Sequence, residues 1–381
     1  MPFDGLDQAV GARAAVAVHA DVPLALAELR AELAPAAEDL SLIFAEADIP
    51  ARVLEAGLQA SWGDRLVHGA TGPWVLGSLP GHGVCVSGLV LPGDQYQCRS
   101  VLIDDLRRFD PSAFALAIRQ ELSVLRAEVG AGENPQMIAL LLLDGLGQSE
   151  ELVTYTAAME LGATDLLGGS VAVPERRRSA YLLRGGEVAA NAGTLLLIAT
   201  KRPIHRFRSC SVRPGPERVV VTEADVRRRL VHELDGMPAA HRLAQLLGCA
   251  PGALTAERLA RRPFVLGICG RDYARPVLHV ERNGALGFGG AIENGVVLRL
   301  GESGAILADT RDLLAEHAML LGSAGAVLAF DSLLRWQQLE AAERPVYAKL
   351  CAEHGLIGIA SIGEQWGAVH RNQTLSGVIF G

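Results

Sequence analysis

Residues 136–170 read QMIALLLLDGLGQSEELVTYTAAMELGATDLLGGS. Gln136–Leu143 is an unbroken apolar run of strand length, closed by the turn pair Asp144-Gly145, and reads as a fully buried strand. A helix from Ser149 to Leu161 follows, and the glycine-containing return Gly162–Ser170 leads into a second strand. Strand, helix and strand in this order form an α/β building block, whose sheet must bury apolar faces against helices.

The same alternation extends outward in both directions. Upstream, Pro23–Ala37 and Pro50–Ser61 carry apolar residues at helical spacing, with a buried strand at Leu40–Ala45 between them. Val84–Leu91 reads as a strand after the glycine-rich residues 69–83. Pro111–Val129 is the clearest amphipathic helix, announced by the N-cap Asp110 and by proline at the first helical position. Downstream, Glu187–Thr200 is a strand pattern and Lys201–Glu217 a basic, proline-containing loop. Past Val219 the chain predicts a β-rich opening, a helix at Pro238–Leu247, and strands at Phe264–Cys269 and Val277–Val280. It then predicts helix Thr310–Leu321, strand Ala326–Phe330, helix Arg344–Glu353, strand Ile357–Ser361 and a last strand Leu375–Phe380. The expected fold is mixed α/β (α+β) in two similar-sized lobes, each a sheet flanked by helices. The boundaries are a helical segment 1–37, an N-terminal lobe 38–217 and a C-terminal lobe 218–381. No sequence period is strong enough to define a repeat, and a pocket between lobes is the expected ligand site.

Composition narrows the function. A chain of 381 residues exceeds what one ordinary core serves, and half of it is hydrophobic, so buried cores are well supplied. A formal net charge of -8 argues against nucleic-acid or anionic-membrane partners, which favour basic surfaces. The six cysteines, Cys85, Cys98, Cys210, Cys249, Cys269 and Cys351, are scattered, which suits free thiols in a reducing compartment. Met1–Val10 lacks the basic and apolar regions of a secretory leader. Apolar runs such as Met137–Leu143 and Thr194–Ala199 are far below the roughly 20 residues of a membrane helix. The expected location is cytoplasmic.

Local motifs give little chemistry. Gly168-Gly169-Ser170 lacks the lysine of a phosphate loop, and Gly287-Phe288-Gly289-Gly290 is not followed by a helix, so both read as turns. Ser170 and Cys269 lie beside glycines but outside any nucleophile motif. Asp104-Asp105 reads as a solvated cap rather than an acid–base pair. There is no HExxH, and no two histidines stand at i, i+4. A single histidine can hold haem iron with no motif around it. His205, within Lys201–Arg208, has arginines beside it that could pair with propionates. The alternative for that segment is an ordinary basic surface loop.

The segment Ser361–Gly377, SIGEQWGAVHRNQTLSG, resembles the closing signature of FIST-domain sensory proteins, and among them the nitric-oxide-sensing haem proteins. Other stretches agree in the same order: Leu143–Leu146 with Glu150-Glu151, Leu167–Ser170, Ile204–Phe207, Val231–Ala239, Tyr273–Pro276, Ala291–Leu298 and Phe330–Arg335 with Glu340. The resemblance runs from about Leu40 to Gly381. Two turns depart from the family pattern, Gly69–Trp74 and Gly168–Pro174, each lacking an acidic residue, and Ser332 replaces a cysteine.

The resemblance implies a sensor rather than an enzyme. It implies haem b with His205 as axial ligand, nitric oxide as the signal, and a histidine kinase or cyclic-dinucleotide enzyme as partner. Arg275 and Arg335 are candidates for propionate or another anion. Glu364, Gln365, His370 and Asn372 either contact ligand or stitch the turn before the last strand. Two other readings are a haem-free FIST sensor of an amino-acid-like ligand and a haem-dependent enzyme acting on nitrogen oxides. A homodimer is the default assembly.

Overall fold

Leu40, Leu42 and Phe44 turn to one side of their strand and Ile43 and Ala45 to the other, and all five are buried. A sheet built on such a strand needs cover on both faces. The same double burial recurs in Ile138–Leu143 and in Ala326–Phe330. In all three strands one face joins a single shared core, while the opposite face packs into a separate cluster. The computed structural model describes residues 11–63, 65–78, 83–130, 135–173, 178–322 and 325–381. Pro174 and residues 1–10 lie outside the described residues.

The elements fall into three units. The first holds β1 (Arg13–His19), α1 (Val22–Leu33), β2 (Leu40–Glu46), α2 (Ala51–Trp62), β3 (Val67–Gly72) and β4 (Val84–Leu91). The second holds β5 (Tyr96–Ile103), α3 (Pro111–Val129), β6 (Gln136–Asp144), α4 (Glu150–Leu161), β7 (Asp165–Val173), the short strands β8 (Arg178–Ser179), β9 (Leu182–Arg184) and β10 (Glu187–Ala189), and β11 (Gly193–Thr200). The third opens with β12 (Ile204–Cys210) and is interrupted by a β-rich insert. The insert comprises β13 (Val212–Asp225), β14 (Leu230–Leu234), β15 (Met237–Pro238), α5 (Ala239–Leu246), α6 (Ala256–Arg261), β16 (Phe264–Ile268), β17 (Arg271–Arg275), β18 (Val277–Val280), β19 (Leu286–Phe288) and β20 (Val297–Ser303). The unit resumes with α7 (Ile306–Glu316), α8 (Ala318–Gly322), β21 (Ala326–Ser332), α9 (Leu333–Gln338), α10 (Glu343–Glu353), β22 (Leu356–Ser361), β23 (Gly363–Trp366), β24 (Val369–Arg371) and β25 (Thr374–Phe380).

Each unit has the same topology. A parallel pair (β2–β3, β6–β7, β21–β22) is flanked by an antiparallel return strand (β4, β11, β25), which in turn pairs with the unit's first strand. The third strands β3, β7 and β22 meet one another, and the segment after each crosses to a neighbouring unit. Val75 pairs with Ile359 of β22, β9 pairs with β3, and β23 pairs with β7. The exchange therefore closes on itself. Equivalent glycines mark the register: a Cβ on Gly69, Gly168 or Gly358 would lie 1.8, 1.9 or 2.0 Å from the carbonyl oxygen of Ile43, Leu141 or Ala329. Only glycine admits so close a backbone approach.

The architecture is mixed α+β, several sheets flanked by helices, as expected. Among the described residues no helix is long and apolar enough to cross a membrane. Four local expectations are corrected. The segments read as turns at Gly69–Trp74 and Gly168–Pro174 are largely strand, Gly69–Gly72 closing β3 and Gly168–Val173 closing β7. Lys201–Glu217 is not a loop but contains β12 and the start of β13. Its polar residues suit an edge strand, and its prolines 214 and 216 fall at a register shift between Pro214 and Arg218. Glu187–Thr200 is two strands rather than one, with Asn191 between them in a left-handed conformation. The helix expected at Thr310–Leu321 is two helices broken at His317. Residues 217 and 218 lie inside β13.

Candidate functional site

The insert packs back on the second unit and on the β23–β24 hairpin, and charged groups collect where the three meet. Helix α4 begins with Glu150 and Glu151, an end of the helix where backbone N–H groups favour negative charge. Arg229, in a left-handed conformation between β13 and β14, donates through Nη2 to Glu150 Oε2 at 2.5 Å and to Glu151 Oε2. A non-glycine residue rarely adopts this backbone, and such strain concentrates at functional positions. Glu151 Oε1 accepts from the Ala291 amide at 2.9 Å. Burial pushes the Glu150 carboxyl up despite Arg229. Burial works in the same direction on Glu151, but Arg229, His370 and the Ala291 amide outweigh it and hold that carboxyl below its ordinary value.

The hairpin supplies the other wall. Gln365 and His370 are cross-strand partners, and Gln365 Nε2 lies 3.5 Å from His370 Nδ1 and donates to Ser170 Oγ at 2.7 Å. Burial pushes His370 down to about 4, against the opposing pull of Glu151. Asn372 Nδ2 donates to the Ile362 carbonyl at 3.1 Å. Arg275 of β17 is buried and donates to the Ala274 carbonyl. It borders the glycine pair 289–290, where a Cβ on Gly290 would lie 3.3 Å from Glu151 Oε1 and 3.6 Å from Arg275 Nε. Four buried atoms around this seam meet no hydrogen-bond partner: Glu150 Oε1, Arg275 Nε, Gln365 Oε1 and Asn372 Oδ1. Buried polar groups are ordinarily paired, so the seam offers donors and acceptors to a small polar ligand. Among the described residues no group of three or more His, Cys, Asp or Glu could hold a metal ion.

The other expected site residues lie elsewhere. Glu364 turns away from the seam into the shared core, accepting from Ser361 Oγ, Thr374 Oγ1 and the Thr374 amide. Arg335 is engaged by Asp331 at 2.8 Å, Ser211 at 3.0 Å and Thr310 at 2.7 Å, and Tyr347 donates to the same Asp331. His205 is exposed on β12, on the face shared with Phe207, and lines a groove of about 200 Å³ with Met137, His317 and Leu320. Arg206 and Asp165, which pair with each other, border the same groove, and both Arg206 and Arg208 lie over Trp366. The structure thus brings Arg275, Gln365, His370 and Asn372 together, and leaves out His205, Arg335 and Glu364. Sequence reasoning missed Arg229, because the run Arg227–Arg229 looks like a solvated charge cluster. It also missed His68, whose buried ring nitrogens meet no partner and whose pKa burial lowers to about 4.

The FIST N domain matches residues 39–237 and the FIST C domain residues 239–366. No curated protein matches the chain. The first match alone spans more than half of the sequence and the second adjoins it, with the seam assembled from both; the chain belongs to the FIST family, whose domains sense small ligands.

Proposed function

We propose that the chain is a sensor whose ligand is a small amino-acid-like molecule bound in the seam. The unpaired buried atoms of α4, the insert and the hairpin carry this reading. Arg275 suits a carboxylate, while Glu150 and the Gln365 carbonyl oxygen suit an ammonium group. A ligand touching all three elements favours one placement of the insert over others, which is what a sensor needs in order to signal. The signal then passes to a separate enzyme, a histidine kinase or cyclic-dinucleotide enzyme. Calorimetric titration with the free amino acids tests this. The expected result is saturable binding of at least one amino acid, weakened at least tenfold by Arg275→Met and by Glu150→Gln, since a charge-assisted hydrogen bond contributes about 1.5–3 kcal/mol. Absence of binding by every amino acid, or binding untouched by both substitutions, refutes it.

The exposed imidazole of His205 supports a second reading, haem b with nitric oxide as the signal. The groove is smaller than the roughly 300–1,000 Å³ of ligand pockets, and Arg206 at its edge is already paired with Asp165, so the residues present fit a macrocycle poorly. This reading rests on His205 and on the resemblance of the closing segment to the nitric-oxide-sensing haem proteins. A Soret band after haem reconstitution that shifts with nitric oxide and is lost in His205→Ala supports it, and a colourless protein rules it out.

A further inference from the structure

The β23–β24 hairpin has two faces. Gln365 and His370 look toward the seam, and Trp366 and Arg371 lie on the other side. There Arg208 lies over the Trp366 ring at 5.4 Å and Arg371 over the Tyr273 ring at 4.4 Å. Arg275 is two residues from Tyr273 on the same strand, and its charge also bears on Arg371. Arg206 has Asp165 at 2.7 Å, but among the described residues no carboxylate comes within 4.0 Å of Arg208 or Arg371. Arg371 is only 6 % exposed, and its Nε meets no hydrogen-bond partner. Burial, with Arg208 next in effect, pushes it down to about 10.

Like charges gathered out of water repel, and a buried cation without a counter-charge is strongly unfavourable. The rings offset part of this by cation–π attraction. Stacking uses only the face of a guanidinium, however, and leaves its in-plane N–H donors free for a planar or tetrahedral anion. We propose that Arg371 and Arg208 form an anion site for a carboxylate or phosphate group, walled by Trp366 and Tyr273, with Arg275 adding positive field. The site uses the opposite face of the hairpin from the seam, and Arg275 is the one residue the two share.

Calorimetric titration of the full chain at fixed ionic strength, with inorganic phosphate and separately with succinate, tests it. Saturable binding of at least one probe is expected, weakened about tenfold or more in Arg371→Met and in Arg208→Met. Binding of phosphate alone or succinate alone names the group. In the absence of either probe, Arg371→Met is expected to melt no lower than wild type, because the substitution relieves repulsion. Should that variant fail to fold, Arg208→Met, at a more accessible position, decides the proposal. No binding of either probe, or binding unaffected by Arg208→Met, overturns the site.

Discussion

Replacing Glu364 with glutamine is expected to make the protein more stable at alkaline pH and to flatten its pH dependence. Glu364 is 0 % exposed, its oxygens accept only from Ser361 and Thr374, and burial pushes its pKa up to about 8. In the unfolded chain the same carboxyl titrates near 4.5. Between these values the folded state holds a proton that the unfolded state has released. Stability therefore falls as pH rises through the window, by about 1.4 kcal/mol per pH unit, and levels off above the folded value. From pH 5 to pH 8 the loss comes to about 4 kcal/mol. Glutamine has the same shape and no proton to lose, so the stability of Glu364→Gln relative to wild type rises by about that amount over the interval. Urea unfolding of both proteins at half-unit pH steps measures the difference, and other titrating groups cancel in it. A difference that stays flat between pH 5 and pH 8 refutes the reasoning, because it means the carboxyl titrates alike in both states.

Gly69→Ala, Gly168→Ala and Gly358→Ala are each expected to lose upwards of about 3 kcal/mol of stability, since each forces a Cβ onto a carbonyl oxygen of the adjacent strand. Gly252→Ala, with open space around it, is the control, and comparable urea midpoints for all four variants would count against the threefold register. Arg229→Met leaves buried Glu150 without its cation and is expected to cost about 3–5 kcal/mol in the same assay at pH 7. Adding Glu150→Gln recovers part of that loss, and no recovery would mean the pair is not coupled.

Much of the scaffold is legible in sequence because burial on both faces leaves long apolar runs. Val84–Leu91 and Pro111–Val129 fall where the pattern places them. β12 and the start of β13 escape because their polar residues and prolines resemble a loop until pairing with β25 and β20 is known. The threefold order escapes for a different reason. It resides in strand register and in three glycines whose spacing the insert disrupts, and no local period reports it. The closing signature does point to the seam, through Gln365, His370 and Asn372. Alternation along the hairpin then separates Glu364 from Gln365, a distinction invisible until the strands are paired. Arg229 depends on contacts across the chain with Glu150 and Glu151, which no neighbouring residue announces.

The insert leaves and rejoins the third unit at a single point. The Gly304 amide donates to the Ser211 carbonyl at 2.6 Å, and Val212 is paired with Ser303. Ser211 and Gly304 are thus already neighbours, and a short turn could join them without moving β12 or α7. The threefold frame is in this sense a chassis, and the 212–303 segment a module grafted onto it by one stem. Exchanging that module would change what Glu150, Glu151 and His370 face while leaving the interlocked strands in place, so recognition in such a protein can be replaced without rebuilding its core.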